Sequence, residues 1–206
     1  MTEKEKIHSG DIYFPMGDEI LIEQTGYLDL MDEYNAIPRR KMHERAEFLP
    51  KLFAEVGEGC YIESPFYANW GGHHVHLGKG VYANYGVTFV DDTHIYIGDG
   101  TMLAPNVVIA TAGHPIDPEL RGRGLQYNMP VRIGSNCWLG AGVIVMPGVT
   151  IGDNTVIGAG SVVTKDIPSG VVAVGNPCKV MRKVGQHDRE YYFRDRKIDP
   201  EIFEKK

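Results

Sequence analysis

Aliphatic residues recur at every sixth position in the C-terminal half of the chain. They run from residue 133 to residue 163: Ile133, Leu139, Val145, Ile151, Ile157 and Val163. Glycine directly follows four of these six positions. The same step of six appears upstream in two shorter series: Leu77, Ala83 and Phe89, then Ile97, Leu103 and Ile109.

A period of six residues predicts a parallel β-helix, in which each hexapeptide supplies one short strand and one turn. Three hexapeptides close one triangular coil, so residues 133–168 predict two complete coils. Each aliphatic residue then points inward and stacks on its counterpart in the next coil, where burial contributes about 1.5–3 kcal/mol. An ordinary β-sandwich is less consistent with the pattern, because its strands recur roughly every 8–12 residues. The predicted fold class is therefore mainly β.

The repeat divides the chain into unequal parts. Residues 1–57 are predicted to form an N-terminal helical segment, and residues 58–184 the β-helix. Residues 114–130 are rich in proline, glycine and charge, which predicts a long loop thrown out of the repeat. Residues 185–206 are polar with an aromatic cluster, and we expect a C-terminal tail.

Two helices are expected within the N-terminal segment, with a break near Pro38. In the first, apolar residues at helical spacing mark one face: Leu28, Met31 and Tyr34. In the second, a similar stripe predicts the buried side: Met42, Ala46, Leu49 and Phe53.

Composition and charge narrow the class of partner. The net charge of −6 argues against a general nucleic-acid binder. No apolar run approaches the ~20 residues of a membrane span, and the charged N-terminus does not resemble a secretory signal. The three cysteines do not lie at metal-ligand spacing. We therefore expect a cytoplasmic protein that binds neither nucleic acid nor membrane.

Several motifs resemble the hexapeptide-repeat acyltransferases, and more specifically the maltose and galactoside O-acetyltransferase family. They are the Gly113-His114-Pro115 triplet, the contexts of Asn84 and Asp92, and the segment from Ala173 to Lys183. The tail sequence Tyr-Tyr-Phe-Arg-Asp at 191–195 is similar to that of the galactoside acetyltransferases. The resemblance covers nearly the whole chain. It implies a left-handed β-helix, homotrimers with active sites between subunits, and acetyl-CoA as co-substrate without a required metal.

The implied reaction moves an acetyl group from a thioester to a sugar hydroxyl, such as the 6-hydroxyl of a galactoside, maltose or glucose-type acceptor. A histidine suits the task of general base because it titrates near neutrality, and the resemblance points to His114. Asn69, Asn84 and Asp92 match acceptor-binding positions of the family. The rival mechanism, a covalent acetyl-cysteine, is disfavoured because Cys137 occupies an inward position of the repeat.

Coenzyme A is expected to lie along the coils. The resemblance implies that backbone groups meet its pantetheine arm, that cations meet its phosphates and that an aromatic ring walls the thioester. The residues concerned are Trp138, Ala141, Ala159, Thr164, Lys165, Lys179 and Arg182.

Two alternatives stay open from the sequence. One is a hexapeptide acyltransferase with a non-sugar acceptor, such as an antibiotic, or with an amino sugar. The other is a zinc hydratase of the carbonic-anhydrase type, since zinc binds three histidines and water, and the candidate ligands are His73, His74, His76, His94 and His114.

The sequence also departs from the family pattern. Pro15 or Met16 stands where the family carries an acidic residue, and the stretch from Gly71 to His74 is unusual. Gln126 replaces a glutamate that many relatives carry near the base. The departure at Gln126 argues against the tuning of His114 by a carboxylate.

Overall fold

Three β-sheets form the faces of a triangular coil in the computed structural model, which describes residues 1–203. Residues 204–206, the end of the predicted tail, lie outside the described residues. The strands of sheet I are Glu55–Val56, Val75–Leu77, Ile95–Ile97, Val131–Ile133 and Thr150–Ile151. Those of sheet II are Tyr61–Ile62, Tyr82–Ala83, Met102–Leu103, Trp138–Leu139, Val156–Ile157, Val171–Val174 and Lys179–Lys183. Those of sheet III are Tyr67–Ala68, Thr88–Val90, Val108–Ala110, Ile144–Val145 and Val162–Val163.

The register of these strands follows the six-residue period. Leu103 pairs with Leu139, and Leu139 pairs with Ile157 one coil further on. The last strand, Lys179–Lys183, is the exception in sheet II because it runs antiparallel to its neighbour. Every aliphatic position of the three predicted series is at most 3% exposed, so the predicted inward stack is confirmed.

Tight contact between successive coils explains the glycines that follow the inward positions. A Cβ atom at Gly140 would lie 2.6 Å from the backbone nitrogen of Ala159, closer than side chains approach backbone atoms. The turns also place Asn136 and Asn154 at positive φ, and the Asn136 side chain donates to that of Asn154 at 2.8 Å. Asparagine tolerates this conformation better than most residues, so the ladder supports the turn column.

Helices precede the first coil: α1 (Glu3–Lys6), α2 (Asp18–Ala36) and α3 (Met42–Leu52). The break between α2 and α3 lies where the sequence predicts it. Helix α2 buries Met31 and Tyr34, as its apolar face predicts. The first strand begins at Glu55, slightly before the predicted start of the β-helix at residue 58.

The predicted apolar stripe of α3 is partly wrong. Met42 and Ala46 are exposed, whereas Arg45 is only 1% exposed. The Arg45 guanidinium donates to the Tyr34 hydroxyl at 3.0 Å and to the Ile62 carbonyl at 2.6 Å, and it stacks on the Tyr34 ring. A buried cation is tolerated when it is hydrogen-bonded in this way. Arg45 is therefore buried between α2 and the first coil, where the sequence predicts an apolar side chain.

The segment at 114–130 leaves the coil as a closed loop. Its stem is an antiparallel pair, Ala112–Gly113 with Tyr127–Asn128, and its outer part carries the short helix α4 (Pro118–Gly122). The tail continues after sheet II with α5 (Gln186–Glu190), a hairpin (Tyr191–Phe193 and Arg196–Lys197) and a 3-10 turn (Pro200–Phe203). Among residues 1–203, no helix combines the length and apolar character needed to cross a membrane.

Candidate active site

His114 lies on the loop directly after its stem strand and is exposed. Its Nδ1 atom is 2.8 Å from the carbonyl oxygen of Leu125. Because a carbonyl oxygen only accepts, Nδ1 carries the hydrogen and Nε2 of the neutral ring is left as the basic nitrogen. A hydrogen bond at one ring nitrogen commonly fixes the tautomer and orientation of a functional histidine in this way. The ring can therefore accept a proton at Nε2.

Asp92 lies one coil before His114, at the same corner of the coil, and is 6% exposed. Both of its carboxylate oxygens accept hydrogen bonds from side-chain amides. Asn69 donates to Oδ2 at 2.9 Å, and Gln126 donates to Oδ1 at 3.0 Å. The carboxylate is thus held from two sides by neutral donors.

The N-terminal segment reaches this corner through Tyr13. Tyr13 and Gln126 exchange two backbone hydrogen bonds, at 2.8 and 3.0 Å. The buried Tyr13 hydroxyl also accepts from the side chains of Gln126 and Asn128, each at 2.9 Å. Burial raises the pKa of Tyr13 to about 12, so the phenol stays protonated near neutral pH.

Asp91, next to the site, has a structural task. Its carboxylate is fully buried and accepts from the backbone N–H groups of Trp70 at 2.7 Å and Gly72 at 3.0 Å. Burial raises the pKa of Asp91 to about 7. Asp91 therefore anchors the unusual 71–74 stretch, while its neighbour Asp92 faces the site.

The predicted site residues fall at two different places on the coil. We call the turn from sheet III to the next strand of sheet I the base corner, and the turn from sheet II to sheet III the coenzyme corner. The base corner carries Asn69, Asp92, His114, Thr164 and Lys165. The coenzyme corner and the adjoining strands of sheet II carry Asn84, Trp138, Ala141, Ala159, Lys179 and Arg182. The inward side chains of the core separate the two groups within one chain.

Comparison with known proteins decides the family. Residues 6–57 match the family model of the maltose acetyltransferase hexapeptide capping motif, and residues 130–165 match that of the bacterial transferase hexapeptide with six repeats. The chain is 50% identical to a galactoside O-acetyltransferase of Lactococcus lactis, over 96% of both chains. It is 42% identical to a galactoside O-acetyltransferase of Escherichia coli, over 98% of this chain and 99% of the other. The chain belongs to the maltose and galactoside O-acetyltransferase family.

A solved structure of this family agrees with the fold throughout. A galactoside acetyltransferase in complex with coenzyme A superposes with a TM-score of 0.93 at 42% identity, covering 97% of this chain and 99% of the other. The fold is therefore the left-handed β-helix of hexapeptide-repeat enzymes, an exception to the usual right-handed parallel crossover.

The coenzyme corner is a strip of exposed small residues beside an aromatic ring. Ala141 and Ala159 stack in successive coils, where the Ala141 carbonyl accepts from Gly160 at 2.9 Å. Trp138 is 51% exposed on the strand just before this corner. Asn84 lies at the same corner two coils earlier, and its Oδ1 accepts from the backbone N–H of Tyr85 at 2.8 Å.

The cations expected at the phosphates are exposed, but one of them already has a partner. Arg182 makes a bidentate pair with Asp188 of α5, with both N–O distances at 2.7 Å. The hydrogen bonds from Arg182 and from the backbone of Gly185 lower the pKa of Asp188 to about 2, so the pair persists near neutral pH. Lys165 and Lys179, the other two expected cations, are also exposed.

The remaining histidines form a separate cluster. His76 Nε2 is 2.9 Å from His94 Nδ1, His8 stacks on His94, and burial lowers the pKa of His74 to about 3. Across residues 1–203, no group of three His, Cys, Asp or Glu side chains is arranged to hold a metal ion.

Cys137 is 1% exposed, and burial raises the pKa of its thiol. A buried protonated thiol is a poor nucleophile. This supports the expectation from the sequence that Cys137 has a structural task.

Sequence reasoning missed the residues that hold the base corner together. They are Tyr13, the Leu125 carbonyl and Asn128. Tyr13 and Gln126 are 113 positions apart, and no spacing pattern links them. The departure of Gln126 from the family pattern was the one available signal, and the sequence alone did not connect it with Asp92.

Proposed function

We propose that the protein is an acetyl-CoA-dependent O-acetyltransferase that acetylates a sugar hydroxyl. Family membership supports this activity, since the similar enzymes are named galactoside O-acetyltransferases and a similar structure contains coenzyme A. The acceptor class that we propose is a galactoside, maltose or glucose-type sugar, acetylated at its 6-hydroxyl.

The mechanism rests on the hydrogen bond between His114 Nδ1 and the Leu125 carbonyl, which leaves Nε2 of the neutral ring without a hydrogen. In the proposed reaction, Nε2 removes the proton of the sugar hydroxyl as its oxygen attacks the thioester carbonyl. The tetrahedral intermediate collapses, the carbon–sulfur bond breaks, and the imidazolium returns the proton to the leaving thiolate. The products are an acetyl ester and coenzyme A, and no acetyl-enzyme forms.

The polar side chains around this histidine suit an acceptor rich in hydroxyl groups. We infer that Asp92 accepts a hydrogen bond from the sugar, and that Asn69 contributes a second polar contact from the same corner. The Oδ1 atom of Asn84 accepts a hydrogen bond from the backbone N–H of Tyr85. The NH2 group of Asn84 is therefore the end that can donate to the acceptor or to the developing oxyanion.

The coenzyme is proposed to lie along the coenzyme corner. Ala141 and Ala159 offer backbone groups without a bulky side chain, and Trp138 supplies an exposed aromatic wall. Thr164 and Lys165 approach from the base corner. Lys179 and Arg182 meet the phosphates, for which Arg182 must exchange its partner Asp188 for a phosphate oxygen.

We further propose a homotrimer with each site shared by two subunits. The proposed base and the proposed coenzyme strip occupy different corners of one coil, so a complete site needs a second chain. The outward side chains of sheet III that support an interface are largely apolar or small, including Tyr67, Val108 and Ile144. The three free buried cysteines fit a reducing compartment, and we propose the cytoplasm.

An acceptor panel tests the function directly. The protein is incubated with acetyl-CoA and galactosides, maltose, glucose, amino sugars or an aminoglycoside antibiotic, and thiol release and the acetylated product are measured. We expect ester formation on the neutral sugars. Amide formation on amino groups at a higher kcat/KM would favour the alternative acceptor class instead.

A further inference from the structure

We propose that Gln126 is a positioning residue that aligns the two polar ends of the acceptor site, the Asp92 carboxylate and the His114 imidazole. The inference rests on the proposed function, in which these two groups contact the sugar. It concerns how the chain holds these two groups in a fixed relation when, within residues 1–203, the ring of His114 pairs with a backbone carbonyl and not with a carboxylate.

The side chain of Gln126 acts on Asp92. Its Nε2 atom lies 3.0 Å from Asp92 Oδ1, 2.9 Å from Asn128 Oδ1 and 2.9 Å from the Tyr13 hydroxyl. A carboxylate only accepts, so the amide must present its NH2 group to Asp92. With Asn69 on the other oxygen, the carboxylate cannot rotate without breaking a hydrogen bond.

The backbone beside Gln126 acts on His114. The preceding residue, Leu125, supplies the carbonyl that receives the Nδ1 hydrogen of His114. Tyr13 clamps the same segment through its two backbone hydrogen bonds with Gln126. Gln126 itself is 7% exposed. One short segment, in which Gln126 is buried and Leu125 is half-buried, therefore sets both the imidazole and the carboxylate.

An amide at this position differs from a carboxylate in its electrostatic effect. The NH2 group of Gln126 is neutral, so it donates to the Asp92 carboxylate and orients it without adding a second negative charge. A glutamate would place a second carboxylate about 3 Å from Asp92, and two such groups hold one proton between them at low pH. The protonated pair keeps the hydrogen bond, whereas the doubly ionised pair repels and releases Asp92.

The test compares Gln126→Glu with the wild-type protein across pH. We measure kcat/KM for a galactoside and the KM for acetyl-CoA between about pH 4 and pH 8, a range that includes the loss of a proton shared by two carboxylates. The ratio of wild-type to variant kcat/KM should rise at least about tenfold across this range, because the shared proton is lost. The KM for acetyl-CoA should not change.

Two control variants separate positioning from general damage. Gln186→Glu makes the same change in the tail, where the amide donates to the Glu190 carboxylate at 3.0 Å on an exposed surface, and should match the wild type. The double variant Gln126→Glu with Asp92→Asn restores an amide–carboxylate pair with the roles exchanged. Its kcat/KM is expected to be low, with a ratio to wild type that does not vary with pH.

The outcomes are distinct. A wild-type protein that acetylates no acceptor overturns the proposed function and this inference with it. An active wild type whose ratio to Gln126→Glu stays flat across pH overturns the positioning role alone. The same holds if the double variant shows the pH dependence of the single one. The melting temperature of each variant at each pH shows whether the protein measured is folded.

Discussion

Replacement of His114 by alanine is expected to remove the chemical step while the fold is retained. The side chain is exposed, and within residues 1–203 its one hydrogen bond runs from Nδ1 to the Leu125 carbonyl at 2.8 Å. Loss of one such bond costs about 0.5–1.5 kcal/mol of stability. Loss of a general base lowers kcat by about 10²–10⁴-fold, which corresponds to about 3–5 kcal/mol in the barrier. The effect on catalysis should therefore exceed the effect on folding.

The assay follows thiol release from acetyl-CoA with a galactoside acceptor, together with coenzyme binding by calorimetry. The dissociation constant for coenzyme A should change little, because the groups proposed to hold the coenzyme are backbone atoms, Trp138 and the cations, and His114 is not among them. His187→Ala is the matched control, since that histidine stacks on Tyr191 in the tail. A His114→Ala protein that folds and turns over within a few-fold of the wild type would refute His114 as the base.

Three further predictions concern the coenzyme, the pH dependence of stability and the shared site. The double variant Lys179→Ala with Arg182→Ala should raise the KM for acetyl-CoA by about 10-fold or more, since charge-assisted hydrogen bonds contribute about 1.5–3 kcal/mol each. An equal effect of the double variant on the KM for a phosphate-free pantetheine thioester would contradict the assignment. Burial raises the pKa of Asp91 from 3.8 to about 7, so the folded protein keeps a proton that the unfolded chain has released. The contribution of Asp91 to stability should therefore fall as pH rises from about 4 to 7. The Asp91→Asn variant should lack this decrease of melting temperature with pH. A variant that shows the same decrease as the wild type would be evidence against the raised pKa of Asp91. Refolded mixtures of inactive His114→Ala and Asn84→Ala chains should regain turnover. Wild-type chains taken through the same refolding are the control. If they remain active and the mixture regains no turnover, both residues belong to a site within one subunit.

The repeat could be read from the sequence because it depends on local physics. Each inward position needs an aliphatic side chain, and each close approach of two coils needs a residue without a Cβ, as at Gly140. Both demands recur with the period of the coil, so they leave a periodic signal. The family motif around His114 likewise lies in one continuous segment.

Features that depend on contacts between distant segments left no such signal. Arg45 reads as the polar side of α3, yet it is buried because acceptors from α2 and the first coil surround its guanidinium. The pairing of Tyr13 with Gln126 joins two irregular segments, and irregular backbone has no period to detect. Only the fold brings the members of such a hydrogen-bond network together.

The period of the coil also explains why the proposed site needs two chains. Residues one coil apart stack directly, so Asn69 can reach Asp92 through a hydrogen bond at 2.9 Å. Residues at different corners of one coil are separated by the packed core, which leaves no passage for a ligand. The surface of a triangular coil is convex, and a convex surface buries little of a ligand as large as acetyl-CoA. In the trimer that we propose, a second copy would set its base corner beside the coenzyme corner of the first and so create the missing concave surface. Threefold symmetry would repeat that contact without leaving an unpaired face.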